Sequence, residues 1–179
     1  MGRHGWDRGV WDKVPHSDLI FHADIFWTAV NKTESCWEWT AGKNKAGYGC
    51  MNVRKADGRK TTARTHKLSY LLHTGPIPDA LDVDHTCHNR ACVNPHHLRL
   101  ATRKQNQENR GPLDVRNKSG YRGVHWAKAQ KKWAATVSHN GKPVHVGYFS
   151  TAEAAGEAAR AKRNELYTHN DLDRQEVAA

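Results

Sequence analysis

The stretch HTCHNRACVNPHHL, residues 85–98, most constrains what this chain can fold into. It places two cysteines and several histidines in a short loop, in which Cys87, Cys92 and His97 follow one another at intervals of five residues. Thiolate sulfur and imidazole nitrogen are the ligands of tetrahedral structural zinc. The loop therefore predicts three ligands of a zinc site, and the fourth ligand must come from elsewhere in the chain.

The fourth ligand is expected from one of the two cysteines outside the loop, Cys36 and Cys50. We favour Cys36, because the bulky residues 37–39 that follow it can pack the loop against the N-terminal part of the chain. Cys50 falls in a predicted strand, where a thiol also serves as a small buried apolar group. Two alternatives stay open for Cys87 and Cys92: ordinary buried thiols, or a disulfide, which a reducing compartment disfavours.

The chain is strongly basic, with a formal net charge of +10 at pH 7. A basic surface attracts polyanions, so nucleic acid is the first partner expected, although basic chains also bind acidic membranes and acidic proteins. Only 37% of the residues are hydrophobic, so each half of the chain buries a modest core. No apolar run reaches the roughly 18 residues of a membrane helix. We expect a soluble, cytoplasmic protein without a membrane partner or a small-molecule substrate.

The order of predicted elements places a strand before the loop and a helix after it. Residues 17–30 have helical spacing after a Ser17 cap, and Asp57-Gly58 indicates the tip of a β-hairpin. A short helix follows and ends at Gly75. The segment ALDVDH is then predicted to form a strand. ATRKQNQENRGP is predicted to form a two-turn helix that begins with the capping-box pair Thr102 and Gln105.

A second unit is indicated after residue 113. Three β-like runs, GYRGVHW, KWAATVSH and KPVHVGYF, are separated by turn sequences. They are followed by an alanine-rich helix that opens with the capping-box pair Ser150 and Glu153. The chain after Thr168 is expected to fray.

Asp84, His85 and Asn106 are candidates for phosphodiester hydrolysis beside the loop. This reaction needs a base that takes a proton from water and a hard cation that stabilises charge on the phosphate. His85 suits the first role, because its ordinary pKa lies near neutral pH. Asp84 and Asn106 offer the oxygen ligands that magnesium prefers. Taken alone, histidine and asparagine at the ends of elements more often act as capping or solvated groups.

The segments VDHTCHNRACVNPHHL and ATRKQNQEN together resemble the ββα-metal motif of HNH homing endonucleases, especially members with a zinc loop such as the His-Cys box group. CWEWTAGKNKAGYG and ARTHKLSYLLHTGPIP match the phage-type pattern, so the resemblance covers about residues 24–110. It implies His85 as the general base, Asn106 as a divalent-metal ligand and Asp84 as a second ligand. It also implies a zinc set that consists of Cys36, Cys87, Cys92 and His97.

Two further assignments follow from the same resemblance. Arg64 is a candidate contact of the scissile phosphate, although a solvated strand arginine is the simpler interpretation. A competing assignment takes Asn94 and His97 as catalytic residues. We reject it, because zinc would then lose its third ligand in the loop and Asn94-Pro95 more simply shapes the turn before His97.

The C-terminal segment is similar to the ethylene-response-factor (Apetala-type) DNA-binding domain, through YRGV, KWAATV, GYF and the alanine-rich helix. In that family a three-stranded sheet enters the major groove, which is wide enough for a β-ribbon. The resemblance implies DNA contacts by Arg122, His125, Lys128, Lys132 and Trp133. It leaves Tyr121, Val124, Trp126, Tyr148 and Phe149 largely for packing.

The sequence thus predicts an α+β chain with two domains. An N-terminal ββα-metal (HNH) nuclease domain with a structural zinc loop is expected at 1–112 and a linker at 113–118. An Apetala-type domain of three antiparallel strands and one packed helix is expected at 119–170, with a flexible tail at 171–179.

Two functions are compatible with this organisation. The first is a site-directed DNA endonuclease of the homing type, a monomer or homodimer acting on double-stranded DNA with structural zinc and catalytic magnesium or manganese. The second is a zinc-stabilised DNA-binding regulator without nuclease activity. Asp84, His85 and Asn106 favour the enzyme, because a pure DNA binder needs no histidine between two oxygen ligands. An RNA-binding role ranks third, since the C-terminal family reads duplex grooves.

Overall fold

The structure is a computed structural model that describes residues 12–13, 18–113 and 115–175. It is a mixed α/β fold with several antiparallel sheets and few helices. Its contacts divide the chain into two compact units between Ala101 and Thr102. None of the helices among the described residues is long and apolar enough to span a membrane.

The first unit is built on a four-stranded antiparallel sheet in the order β1-β2-β5-β6. Its elements, in chain order, are β1 (Asp12–Lys13), β2 (Leu19–Phe21), α1 (Ala23–Thr28), β3 (Val30–Lys32), β4 (Trp37–Trp39), β5 (Cys50–Lys55), β6 (Lys60–Arg64), α2 (Thr65–His73), β7 (Leu81–His85), a 3-10 helix (Pro95–His97) and β8 (Leu98–Thr102). The core between the sheet, α1 and α2 consists of Phe21, Phe26, Trp39, Met51, Val53, Leu68, Leu71 and Val93.

The β5–β6 hairpin confirms the predicted turn. Gly58 has φ +83°, a backbone conformation that residues other than glycine adopt only at a cost in free energy. The Asp57 carboxylate accepts a hydrogen bond from the backbone N–H of Arg59 at 3.0 Å. β6 leads directly into α2, whose first residue follows Arg64. β7 pairs with β8, and the loop that contains Cys87, Cys92 and His97 connects these two strands.

The single helix predicted over 17–30 is wrong. Residues Leu19–Phe21 form β2, in which Leu19 and Ile20 pair with β5, and α1 begins only at Ala23. Sheet pairing with a distant strand therefore overrides the local helical spacing of apolar residues. The predicted cap, Ser17, lies outside the described residues.

The second unit contains the predicted three antiparallel strands, and the structure pairs them in the order β11-β10-β9. Its elements are α3 (Arg103–Glu108), β9 (Val124–Ala127), β10 (Lys132–His139), β11 (Lys142–Phe149), α4 (Ala152–Leu166) and α5 (Asp171–Gln175). The predicted capping box of α3 is present, since the Thr102 hydroxyl accepts from Gln105 N and the Gln105 side chain accepts from Thr102 N. The buried residues between sheet and helix are Val124, Ala135, Val137, Ala155 and Ala159.

Small residues let α4 lie close to the sheet. A Cβ atom at Gly156 would come within 2.3 Å of the Tyr121 ring. The cap of this helix differs from the prediction, because Thr151, not Ser150, accepts the N–H of Ala154 at 3.2 Å.

Residues 171–175 form α5, and the flexible tail predicted at 171–179 stays a prediction. The Arg163 guanidinium donates to both carboxylate oxygens of Asp173, at 2.7 and 2.8 Å, and both residues are buried. The other predicted domain ranges stay predictions. By its contacts α3 belongs to the second unit, although the sequence assigned its residues to the domain at 1–112.

Candidate functional site

The four predicted zinc ligands lie together in the first unit. The ligand atoms of Cys36, Cys87, Cys92 and His97 are all within 4.8 Å of one another. The His97 Nδ1 atom is 3.7 Å from Cys36 Sγ and 3.6 Å from Cys92 Sγ. Zinc bonds of about 2.0–2.3 Å in a tetrahedron place neighbouring ligand atoms roughly 3.5 Å apart. The Cys3His set therefore fits one structural zinc ion.

Pairing between β4 and the loop brings Cys36 to the cluster. Trp39 N donates to Ala91 O at 2.9 Å, and Val93 N donates to Trp37 O at 2.7 Å. Cys36 is the residue directly before β4, so this pairing sets it beside Cys92. Cys50 lies outside the cluster on β5, where its thiol donates to Tyr48 O at 3.5 Å.

Asn94 shapes the turn that presents His97. Its side-chain oxygen accepts His96 N at 3.1 Å, which caps the 3-10 helix, and its amide nitrogen donates to Ser35 O at 3.0 Å. The side chain thus connects the loop to the residue before Cys36. These contacts support a structural role for Asn94 over the competing catalytic assignment.

The thiols of the cluster influence one another. A hydrogen bond with Cys87 lowers the pKa of Cys92, while the same contact, together with burial, raises the pKa of Cys87. Burial, followed by the charge of Cys92, raises the pKa of Cys36. Thiolate is the form of cysteine that binds metal, so binding of an ion by these residues releases protons.

The zinc-type loop also orients the candidate base. His85 is the last residue of β7 and is buried, and its Nε2 atom donates to the backbone carbonyl of Cys92 at 3.0 Å. An imidazole that donates through Nε2 carries its lone pair on Nδ1. Burial lowers the pKa of His85, which favours the neutral ring.

Further side chains surround His85 that the sequence did not single out. The His66 ring lies 4.6 Å from the His85 ring, centroid to centroid, and Tyr48 lies 5.5 Å from His66 and 6.1 Å from His85. Burial, followed by the charge of His85, lowers the pKa of His66 to about 2. Its Nδ1 atom is buried and has no hydrogen-bond partner among the described residues.

Two guanidinium groups stack on Tyr48. The Arg64 Cζ atom is 4.9 Å from the Tyr48 ring centre, and the Arg90 Cζ atom is 5.4 Å from it. The Arg90 side chain also donates to Ala46 O. The structure thus places the predicted Arg64, together with the unpredicted Arg90, on the tyrosine that contacts both histidines. In the sequence, Arg90 was recognisable only as a basic residue between the predicted zinc ligands Cys87 and Cys92.

The Asp84 carboxylate is buried and paired with an arginine. Arg99 on β8 donates from Nε and Nη2 to Asp84 Oδ2, at 3.2 and 3.1 Å. β7 and β8 are neighbouring strands, which explains this contact. The other predicted oxygen ligand, Asn106, is a half-buried residue of α3 in the second unit. Metal binding by Asp84 and Asn106 stays a prediction.

The predicted DNA contacts in the second unit divide into two groups. His125, Lys128 and Lys132 are exposed on or beside the sheet. Arg122, in contrast, donates to the carbonyl oxygens of Arg110 and Gly111, and burial lowers its pKa. Trp133 packs against the hydrophobic core of the second unit, and its ring centre is 5.3 Å from that of Trp126.

Two aromatic residues predicted to be packed are exposed instead. Trp126 is 47% exposed and Tyr148 is 45% exposed. The ring centres of Tyr148 and His145 are 4.6 Å apart. On β10, Ala134 pairs with Tyr148 and Thr136 pairs with His145. His145 and Tyr148 thus extend the exposed sheet surface beyond the predicted residues. Val124 is buried and Tyr121 and Phe149 pack against the core, as predicted.

The comparisons with known proteins match the part of the chain that holds the loop. Residues 63–108 match the family model of the HNH endonucleases, which indicates a nuclease domain in this segment. The matched range includes Arg64, Asp84, His85, the three loop ligands and Asn106. It does not reach the C-terminal sheet.

The relatives found are phage proteins. Protein 7.7 of Escherichia phage T7 is 42% identical over 75 residues, which are 42% of this chain and 54% of that protein. The uncharacterized gene 5.3 protein of Enterobacteria phage T3 is 33% identical over 63 residues, 35% of this chain and 62% of that protein. Protein 2.8 of Escherichia phage T7 is 32% identical over 77 residues, 41% of this chain and 48% of that protein. This chain thus spans about half to three-fifths of the length of these relatives. No solved structure has a significant similarity to it.

Proposed function

We propose that this protein is a metal-dependent DNA endonuclease of the homing type, which hydrolyses phosphodiester bonds with His85 as the general base. The observation that carries the proposal is the hydrogen bond from His85 Nε2 to Cys92 O at 3.0 Å. It fixes the tautomer and holds the ring, so Nδ1 is the atom that takes the proton from the attacking water. The HNH family match over the same residues supports this role.

The proposed cofactors are zinc and magnesium or manganese. Zinc on the Cys3His cluster is structural, because four protein ligands leave no position for substrate. Asp84 and Asn106 would hold the catalytic cation through their side-chain oxygens, and the bound cation would supply charge stabilisation at the scissile phosphate and the leaving oxygen. Because Arg99 already pairs with Asp84, cation binding has to compete with this ion pair.

Arg64 is proposed to contact the scissile phosphate. Its guanidinium lies over Tyr48, and the Tyr48 ring is 6.1 Å from the His85 ring. Arginine offers two parallel donors that suit phosphate oxygens. A guanidinium that can bind a phosphate therefore lies near the proposed base.

The C-terminal sheet is proposed as an Apetala-type module that finds the DNA target. Three antiparallel strands packed by α4 support this proposal, and His125, Lys128 and Lys132 are exposed. Lysines of such a surface neutralise phosphates, whereas residues along one face of the sheet reach base edges. Arg122 and Trp133 are weaker members of the set, since the structure engages them in internal contacts.

The proposed substrate is double-stranded DNA, acted on by a monomer or homodimer. One active site per chain nicks one strand, and a double-strand break requires a dimer or two visits. The phage relatives suggest a cytoplasmic protein of a phage or mobile element.

The Asp84–Arg99 ion pair favours a second candidate function. Arg99 neutralises the Asp84 carboxylate, which directly precedes His85, and this suits a protein that no longer binds the catalytic cation. In that case the chain is a zinc-stabilised DNA-binding regulator without nuclease activity.

Plasmid nicking tests the proposal directly. Supercoiled plasmids that carry DNA of candidate hosts are incubated with the full-length protein and magnesium, beside His85→Ala and an EDTA control. Metal-dependent relaxation that His85→Ala lowers by roughly 10²–10⁴-fold, with DNA affinity retained, is the expected result. Binding without cutting, across both metals and all targets, would establish the regulator.

A further inference from the structure

We propose that a basic cleft inside the second unit binds phosphates of the DNA backbone, in addition to the exposed surface of the sheet. The cleft has a volume of about 590 Å³, and its described lining residues all belong to that unit. α3 and the residues just after it form one wall, and the turn before β9, the second half of β10 and the end of α4 form the others. The proposal rests on the proposed function, because it takes double-stranded DNA as the partner.

The lining of the cleft carries more positive than negative charge. Among the described residues, its charged members are Arg103, Lys104, Arg110, Arg122, Arg163 and Glu108. Lys104 pairs with Glu108, and Arg163 pairs with Asp173 on α5. Arg122 donates to two backbone carbonyl oxygens, which carry no full charge. The structure gives the guanidinium groups of Arg103 and Arg110 no hydrogen bond or ion pair with any described residue, so the excess charge lies on α3 and beside it.

Three of the arginines lie close enough together to repel one another. Burial lowers the pKa of Arg122, the Asp173 carboxylate opposes this effect, and the charges of Arg163 and Arg110 lower the pKa further. Burial raises the pKa of Tyr167, and the same three guanidinium groups act in the opposite direction. Positive charges away from water are normally paired, and Asp173 already pairs with Arg163. A bound anion would therefore offset the remaining repulsion.

Phosphate is an anion that suits these side chains. A guanidinium group donates two parallel hydrogen bonds to phosphate oxygens, and such charge-assisted bonds are about twice as strong as neutral ones. Arg110 is exposed and lies next to the half-buried Arg122, whose Nη2 atom donates to the Arg110 carbonyl at 2.8 Å. One phosphate at this position would contact the exposed guanidinium and lie near the half-buried one.

The wall formed by α3 favours an extended polyanion over a single small ion. Arg103 and Lys104 are exposed in the first turn of the helix, and Arg110 follows its last residue by two positions. A helix of six residues is about 9 Å long. Duplex DNA carries one negative charge per roughly 1.7 Å of its axis, so basic groups at the two ends of α3 can contact different phosphates.

Contacts of this kind fix the position of a protein on DNA without reading its sequence. Lys128 and Lys132, the predicted phosphate contacts beside the sheet, are not among the lining residues of the cleft. Loss of the cleft contacts should therefore weaken binding to every DNA sequence by the same factor.

The test measures the affinity of the full-length protein for several unrelated DNA duplexes by fluorescence anisotropy over a range of salt concentrations. The variants are Arg103→Ala, Arg110→Ala and the double variant. They leave the Lys104–Glu108 ion pair in place, and the backbone carbonyl that accepts from Arg122 is retained. Arg110→Lys keeps the charge and covers the case in which alanine lowers the thermal midpoint.

Lys162→Ala is the matched control. It removes one positive charge from the same unit, on α4 but outside the lining of the cleft, and Lys162 has its own carboxylate partner in Glu165. A change in net charge alone would thus affect Lys162→Ala as much as it affects Arg103→Ala or Arg110→Ala.

We expect each alanine variant to reduce the slope of log affinity against log salt by about one and the double variant to reduce it by about two, equally for all duplexes. Arg110→Lys and Lys162→Ala should keep the wild-type slope. Slopes of the alanine variants that equal the slope of Lys162→Ala would overturn the inference and leave the proposed function intact. Inorganic phosphate that binds the wild type but not Arg110→Ala in calorimetry, with unchanged DNA slopes, would also overturn it, because the cleft would then be a small-anion site. A wild-type protein that binds no duplex would overturn the proposed function itself.

Discussion

His85 Nε2 and the backbone carbonyl oxygen of Cys92 are joined by a hydrogen bond of 3.0 Å. Cys92 thus has two roles, since its thiol belongs to the zinc-type cluster and its carbonyl holds the candidate base. A ligand loop that closed differently would move this carbonyl and release the histidine ring. The Cys/His cluster and the candidate base are therefore linked through one residue, Cys92.

The first prediction concerns the zinc cluster. Cys36→Ser should lower zinc content from about one ion per chain, lower the thermal midpoint and reduce nicking, because structural zinc contributes roughly 10 kcal/mol to the folding of small units. Cys50→Ser is the control, since Cys50 lies outside the cluster. Metal analysis and thermal unfolding measure the effect. Equal zinc loss in both variants would contradict the Cys36 assignment.

The second prediction concerns the two arginines on Tyr48. Arg64→Ala and Arg90→Ala should each weaken DNA binding and reduce the slope of log affinity against log salt by about one, the effect of losing one phosphate contact. Among the described residues neither arginine has a carboxylate partner, whereas Arg59, the control, pairs with Asp57 at 2.7 Å. Fluorescence anisotropy at several salt concentrations gives the slopes. If Arg64→Ala and Arg90→Ala gave the same salt slope as Arg59→Ala, neither Arg64 nor Arg90 would contact a DNA phosphate.

The third prediction concerns the exposed sheet surface. Lys128→Ala and Lys132→Ala should lower affinity for all DNA sequences alike, whereas His125→Ala should change the preference among sequences. Lys162→Ala is the control, because Lys162 on α4 pairs with Glu165 at 2.7 Å. Selection from a random-sequence library, followed by affinity measurements, separates the two effects. Sequence preference that survives every one of these changes would place the reading surface elsewhere.

The fourth prediction concerns packing in the second unit. Gly156→Ala should lower the free energy of unfolding by about 1–3 kcal/mol, because the added Cβ would overlap the Tyr121 ring. Helix propensity alone predicts the opposite sign, a gain of about 1 kcal/mol. Denaturant unfolding decides between the two effects. Ala161→Gly, an exposed position of the same helix, should lose about 1 kcal/mol through propensity alone.

The elements that the sequence predicted are those with a local cause. The hairpin turn at Asp57-Gly58, the capping box of Thr102 and Gln105 and the three strands of the second unit depend on neighbouring residues. β2 was missed because its pairing partner, β5, lies about thirty residues further along the chain. Short apolar runs fit a strand and a helix alike until that partner is known.

By itself the sequence determined which residues form the Cys/His cluster and named His85 as the candidate base. Ligand chemistry limits which residues can serve, so Cys87, Cys92 and His97 were recognisable by type and spacing and Cys36 by its neighbours. Only the tertiary structure decided which side chains meet His85 and Asp84. His66 on α2 lies beside His85, and Arg99 on β8 pairs with Asp84. Arg90 stacks on Tyr48, the ring next to both histidines. Such contacts depend on distances in space that spacing along the chain does not encode.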